Sequence, residues 1–263
     1  MRKTSIYSWF GFILPMAERF RLIKAAGFDS VFLWWGDEFV EIDGPKREHP
    51  DMARNLGLAI ENVHLPFSGA NDLWLDGLAA DSLQEVYLRS ISECAGQNIP
   101  TVVLHLTEGE NPPGLSRLGL DRIGRLVELA EKKSVNIALE NLRKPEFLKT
   151  VLREFQSDRL GFCFDSGHQH CRTKEVDYLS LYGSRLMALH LHDNDESGDQ
   201  HQVPGEGTID WDLLCEKLKG TGYAGAVALE VTNEFSPLKE KESPEEFLIR
   251  AHRSAAALRR SLQ

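Results

Sequence analysis

A single (β/α)8, or TIM, barrel running from residue 1 to residue 263 is the fold class the sequence predicts. Eight short runs rich in β-branched and aromatic residues alternate with eight runs whose apolar residues recur at three- and four-residue spacing. No change of composition divides them, and 263 residues is close to the ~250 typical of such a barrel. An open doubly wound sheet is the weaker alternative, because no G-x-G-x-x-G turn follows the first β-run.

The elements follow in order. Residues 4–9 form the first strand candidate, and a helical pattern begins at Pro15 and runs over 15–26. The second unit is a strand over 30–35 and a helix over 46–56. The third is 59–65 followed by 81–97, and the fourth 101–106 followed by 117–133. The fifth pairs 136–141 with 145–156, and the sixth 160–165 with 174–183. Strand 186–192 and helix 210–220 form the seventh, and 226–232 with 243–260 the eighth. Gly27, Gly57 and Gly222 stand just past helix ends, where a left-handed cap favours glycine.

Composition narrows the function classes. Hydrophobic residues make up 42% and charged residues 27%, an ordinary globular balance. No run approaches the ~20 apolar residues of a spanning helix, so no membrane role is expected. Residues 2–14 have the charge and apolarity of a leader, but no small-residue cleavage site follows and a helix starts at once, so a cytoplasmic protein is expected. Cys94, Cys163, Cys171 and Cys215 form no C-x-x-C pair and read as reduced thiols. The net charge is −10, and the densest basic cluster, Arg250, Arg253, Arg259 and Arg260, reads as a solvated helix face. Nucleic acid is therefore not expected as a partner. A homo-oligomer is compatible with the sequence.

The chemistry lies where the strands end, which in this fold is where active sites are built. Of nine histidines, His64, His105, His168, His170, His190, His192 and His201 fall at or just after a strand C-terminus; His49 and His252 fall on helices and read as surface residues. Glu140, Asp165 and Glu230 end strands five, six and eight. An anion at the end of an apolar strand is costly unless paired or metal-bound. Alternation puts Glu140 on one face with Ala138, Asp165 with Cys163, His190 with Ala188 and Glu230 with Ala228, so the layer beneath is small and leaves room for a pocket. One strand-end carboxylate is more often an ion-pair partner, and one histidine a satisfied core residue. Four such groups on four strands at one rim point to a divalent metal, with Mn2+, Zn2+, Fe2+ or Co2+ favoured over Ca2+. Aromatic residues join the rim: Trp9, Trp34, Trp35, Phe67 and Trp74. Trp34 and Trp35 are adjacent, so one faces the pocket and the other the helices, an alternative the sequence leaves open; Trp35 stands as the substrate-side candidate. Trp211 reads as a packing residue and Arg143 as an exposed loop arginine.

Six segments together carry a family resemblance. They are Asn62-Val63-His64-Leu65-Pro66-Phe67, Ala138-Leu139-Glu140-Asn141, Phe164-Asp165-Ser166-Gly167-His168, His190-Leu191-His192-Asp193-Asn194-Asp195, Pro204-Gly205-Glu206-Gly207-Thr208-Ile209-Asp210-Trp211 and Leu229-Glu230-Val231. The chain resembles the xylose-isomerase-like barrel superfamily, which holds sugar isomerases and epimerases, inosose dehydratases and endonuclease-IV-type AP endonucleases. Resemblance to its ketose 3-epimerase branch implies one metal held by Glu140, Asp165, His190 and Glu230. It also implies a metal-stabilised ene-diolate, with Glu140 and Glu230 as acid and base on opposite sides of the sugar carbon. Substrate contacts are expected from His168, His64, Trp35, Phe67 and His192. The endonuclease branch implies further zinc ions on His64, His105, His168, Asp199 and His201. The negative charge and the acidic loop 193–199 oppose a DNA backbone. The resulting expectation is a metal-dependent isomerase or epimerase of a small sugar, sugar phosphate or polyol. Its cofactor would be one or more divalent ions, zinc or manganese first and cobalt, iron or magnesium next. A zinc-dependent AP endonuclease or phosphodiesterase is the second reading, and a non-enzymatic sugar-binding barrel the third.

Overall fold

A computed structural model describes residues 2–236, 238–239 and 241–263. Its eight parallel strands are β1 (Thr4–Tyr7), β2 (Ser30–Trp34), β3 (Ala59–His64), β4 (Thr101–Leu104), β5 (Asn136–Glu140), β6 (Leu160–Asp165), β7 (Leu186–His190) and β8 (Val227–Leu229). Each pairs with its sequence neighbour, and β1 also pairs with β8. The last seam, between β7 and β8, closes just beyond the end of β7. There the Leu191 N–H donates to the Ala228 carbonyl at 2.9 Å and the Glu230 N–H donates to the Leu191 carbonyl at 3.0 Å. The molecule is thus a single (β/α)8 barrel.

The helices are α1 (Met16–Ala26), α2 (Val40–Asp43), α3 (His49–Asn55), α4 (Leu78–Gly96), α5 (Arg117–Lys133), α6 (Pro145–Glu154), α7 (Ser166–Arg172), α8 (Tyr178–Tyr182), α9 (Trp211–Gly220) and α10 (Pro244–Ser261). Eight answer to the predicted helices. The two additional ones, α2 and α7, sit on the loops after β2 and β6 and shape the mouth of the barrel. Neither has a run long enough to give a periodic signal, α7 being seven residues and α2 four.

Seven of the eight strands start at the predicted residue, but most end earlier. The lost residues still make ladder-like bonds: the Trp35 N–H donates to the His64 carbonyl at 2.9 Å, and the Leu65 N–H to the Val103 carbonyl at 3.0 Å. The chain leaves the ladder there because the rim side chains turn toward one another. Most of the apolar core lies between strands and helices, whereas Val103, Ala138, Cys163 and Ala188 form a separate small-residue cluster within the barrel. This is the narrow floor that strand alternation predicts. Gly27 ends α1 at φ 103°, donating to the Ile23 and Lys24 carbonyls.

Two histidine expectations are corrected. His49 is buried, not surface, because its Nε2 lies 3.0 and 3.2 Å from the Asp43 and Gly44 carbonyls and so ties α3 to the end of α2. His252 is half-buried, its ring set edge-on to Phe28 at 5.0 Å. Trp74 is core as well: its Nε1 donates to the Leu106 carbonyl at 2.6 Å and its ring meets Phe147. Cys94, Cys163 and Cys215 are buried free thiols and Cys171 is half-buried. Among the described residues no helix is long and apolar enough to cross a membrane.

Candidate active site

A cavity of about 700 Å3 opens at the C-terminal end of the barrel, and Glu140, Glu230, His64, His105, His168, Asp199 and His201 line it. Below them the four strand-end donors converge. One oxygen or nitrogen from each of Glu140, Asp165, His190 and Glu230 lies within 4.8 Å of the others. His190 Nδ1 is 3.2 Å from Glu140 Oε1 and 3.3 Å from Glu230 Oε2. A stack of rings, Tyr7 on Phe32 at 4.9 Å and Phe32 on His190 at 4.5 Å, fixes that imidazole from below. The sequence sets Glu140 and Glu230 apart around the barrel. The structure draws an oxygen of each to one nitrogen, because the shear of a closed barrel levels the ends of distant strands.

Burial acts to raise the Glu140 and Glu230 carboxyls, but His190 opposes it, joined at Glu140 by His105, and both stay below the ordinary carboxylate range. Burial pushes His190 down, yet Cys163 and the carboxylates of Glu230 and Glu140 hold it well above the usual histidine range. The site is therefore a knot of buried anions that demands positive charge. Two carboxylates and an imidazole nitrogen facing one point, with a third carboxylate in reach, are the donor set of a borderline divalent ion. The residues fit a metal.

The supporting groups explain the precision of this arrangement. Asn141 accepts from the Asp165 N–H through Oδ1 at 2.8 Å and donates to the Asp165 carbonyl through Nδ2 at 2.9 Å, locking the backbone of Asp165. Asp165 caps α7, accepting the His168 N–H at 2.6 Å. His192 Nε2 lies 3.0 and 3.1 Å from the two Asp165 oxygens. Gly167 permits this approach, since a Cβ there would fall 1.9 Å from the His192 ring. His192 is wholly buried and does not line the cavity, so its expected substrate contact is corrected: it orients Asp165. The cause is the seam between β7 and β8, which carries His192 past the end of the ladder and over β6.

Three further imidazoles share one orientation. His64, His168 and His201 each direct Nδ1 to a backbone carbonyl, of Leu65 at 2.8 Å, Asn141 at 3.2 Å and Glu230 at 2.8 Å. Each thereby turns its Nε2 to the cavity side. For His64 that nitrogen meets Glu140 Oε2 at 3.1 Å and His105 Nε2 at 3.2 Å. His105 Nε2 is 2.8 Å from the same carboxylate oxygen. His168 Nε2 lies 3.0 Å from Asp199 Oδ2. The Arg172 guanidinium reaches that oxygen too, at 2.8 Å. Sequence reading passed over Arg172; with α7 recognised as a helix, its i+4 spacing from His168 would have put both on one face. His170 points elsewhere, to Thr208 Oγ1 at 2.8 Å, and lines a separate cleft beside α9.

The aromatic expectations divide. Phe67 lines the cavity and stacks on His105 at 4.7 Å. Trp35 does not: it is buried against the helix layer, with Nε1 donating to Glu93 at 2.9 Å, and Trp34 lines the cavity in its place. Closure of the barrel decides this: it leaves Trp34 as the last residue of β2 to face the mouth, its ring stacked on His64 at 5.7 Å. Trp211 packs as expected and also donates through Nε1 to Asp193 at 2.7 Å. Arg143 lines the cavity with its side chain 39% exposed, 3.7 Å from Glu110.

Comparison with known proteins agrees with this geometry. Residues 20–252 match the model of the xylose isomerase-like TIM barrel family, and the chain belongs to that family. An uncharacterized protein of Methanocaldococcus jannaschii is 28% identical over 204 residues, 71% of this chain and 69% of that one. Inosose isomerase of Bacillus velezensis is 29% identical over 147 residues, so the match takes in 51% of this chain and about half, 51%, of that relative. D-psicose 3-epimerase of Clostridium cellulolyticum superposes with a TM-score of 0.79 over 99% of both chains at 16% identity, a likeness of fold.

Proposed function

We propose that this member of the xylose isomerase-like barrel family is a metal-dependent isomerase or epimerase of a small sugar or related polyol, acting by proton transfer at a carbon beside a carbonyl. One observation carries the reading: donors from Glu140, Asp165, His190 and Glu230, on four strands, converge within 4.8 Å at the base of a cavity of sugar-binding size. A divalent ion held by these four side chains would supply Lewis acidity to the carbonyl oxygen and so acidify the neighbouring C–H. Glu140 and Glu230 border the cavity and are held ionised, so each can take or return that proton. His168 stays protonated: burial lowers it, but Asp165 and Asp199 raise it well above the usual range, so it can donate to a substrate oxygen. The resident cofactor in this reading is zinc or manganese, and the partner a neutral or phosphorylated sugar. A relative named as an inosose isomerase, and a structural neighbour named as a D-psicose 3-epimerase, support a small polyol or ketose.

The test is exchange in heavy water. Incubated with a panel of ketoses, ketose phosphates and inososes, the protein should wash deuterium into a position next to the carbonyl. Absence of exchange across the panel would overturn the reading.

A second reading is a zinc-dependent phosphodiesterase with further ions on His64, His105, His168, Asp199 and His201. The three Nε2 atoms turned to the cavity favour it, as does the approach of donors from His192, His201 and Glu230 within 4.8 Å. Arg172 opposes it, because its guanidinium already supplies a cation to Asp199. Anomalous scattering at the zinc edge from zinc-saturated crystals decides: one peak supports the isomerase reading, and two or three peaks with nicking of abasic-site DNA support the other.

A further inference from the structure

The cavity is far from uniform. Its polar side, after β5, β6 and β7, carries Glu140, Arg143, His168, Arg172 and Asp199. Its other side, after β1 and β2, is apolar, formed by Trp9, Ile13, Met16, Trp34, Phe39 and Ile42. Three of these face solvent, Ile13 being 76%, Phe39 60% and Ile42 47% exposed. Single exposed apolar side chains are ordinary, but several grouped on one cavity wall mark a binding surface. The twelve non-hydrogen atoms of a hexose fill only part of the 700 Å3 available.

This wall is braced from behind. The buried Arg19 donates through Nε to the Leu14 carbonyl at 2.9 Å and through Nη1 to the Ser8 carbonyl at 3.3 Å, and its other nitrogen bonds Asp43 at the end of α2. It thus ties the loop after β1 to the helix after β2. Asp43 is held in that pair and Glu38 accepts from the Trp34 Nε1 at 2.8 Å, so the acids beside this wall are already engaged and it offers few partners to sugar hydroxyls. A ring bearing hydroxyls all round would leave them unpaired there, at a cost in affinity.

We infer that the substrate is amphipathic: a keto-sugar or ketopolyol carrying an apolar substituent about the size of one aromatic ring, such as an aryl glycoside, whose substituent packs against Phe39, Ile42 and Ile13. The inference rests on the proton-transfer reading above and names the substrate class for that same site. The sugar lies over the donors at the base and along the Arg172 side, and the substituent fills the part of the cavity the sugar leaves. Enclosure of a ring against a preformed wall adds affinity with little ordering cost.

The test uses matched pairs in heavy water: each keto-sugar bare and as its phenyl glycoside with the carbonyl retained, for example 3-keto-glucose and phenyl 3-keto-β-glucoside, with deuterium uptake followed by mass spectrometry. The expected kcat/KM for exchange is about tenfold or more higher for the phenyl member, and Phe39→Ala and Ile42→Ala should each bring that ratio toward one. Exchange of bare sugars without gain from the phenyl group overturns the inference and leaves the isomerase reading standing. Exchange of neither member overturns both. Sedimentation supplies a further check: a dimer at assay concentration that Ile13→Asp abolishes would assign the apolar wall to a second copy of the chain and overturn the inference.

Discussion

The two sides of the barrel mouth are built on opposite principles. The side after β5 to β7 is ionic and self-locking: Asn141, His192 and α7 all fix Asp165, and His64, His105 and His190 all converge on Glu140. The side after β1 and β2 is apolar and partly exposed, and it is held by one buried arginine at its back. The first is arranged for charge and so for chemistry. The second faces the cavity mainly with apolar side chains and is arranged for area. A site built this way can change what it accepts on the apolar side without disturbing the donors on the other.

Loss of a carboxylate on the ionic side should have the largest effect. Glu140→Gln and Glu230→Gln should each lower deuterium exchange about 10²–10⁴-fold, and Glu140→Gln should also empty the metal site with circular dichroism unchanged. Full metal occupancy in Glu140→Gln by elemental analysis would remove that residue from the ligand set.

The brace of the apolar side comes next. Arg19→Met leaves the half-buried Asp43 and the Leu14 and Ser8 carbonyls without their partner, which should destabilise the fold by about 1–3 kcal/mol in urea unfolding. Metal content should stay that of the natural chain, because Arg19 touches none of the four donors. A drop in metal content in the folded variant would show that the two sides are coupled.

His192→Ala should weaken metal binding about 10–100-fold by freeing Asp165 to turn, read by competition with a chromogenic chelator. An unchanged affinity would mean that Asn141 and the cap of α7 suffice to orient Asp165.

The smallest effect sharpens the contrast through pH. Burial lowers His49 below its ordinary value of 6.5, chiefly against hydrogen bonding to Gly44, so it folds neutral. The unfolded chain takes up this proton first as pH falls. The stabilisation from neutral His49 is therefore present above pH 6.5 and declines as pH drops through the lowered folded value. His49→Gln should unfold in urea with a shallower loss between pH 7 and pH 5 than the natural chain, and equal slopes would contradict the assignment.

What could be read in the sequence was whatever a local period decides. Two-residue alternation put Glu140, Asp165 and Glu230 at strand ends above Ala138, Cys163 and Ala228, and the starts of seven strands followed from the same pattern. The choice between Trp34 and Trp35 lay outside that signal, since alternation separates two adjacent side chains but does not say which side is inward until the barrel has closed. His49 looked like a surface residue because nothing in its own helix reveals that two carbonyls from the preceding turn will enclose it. His192 sits two residues after His190 and by period alone belongs beside it; the seam with β8 sends it to Asp165 instead. The identity and order of the chemical groups thus came from the chain, because each depends only on neighbours a few residues away. Their meeting distances, the partner Arg172 makes for Asp199 and the apolar wall opposite came from tertiary structure, because they depend on how eight strands tilt and close around a common axis.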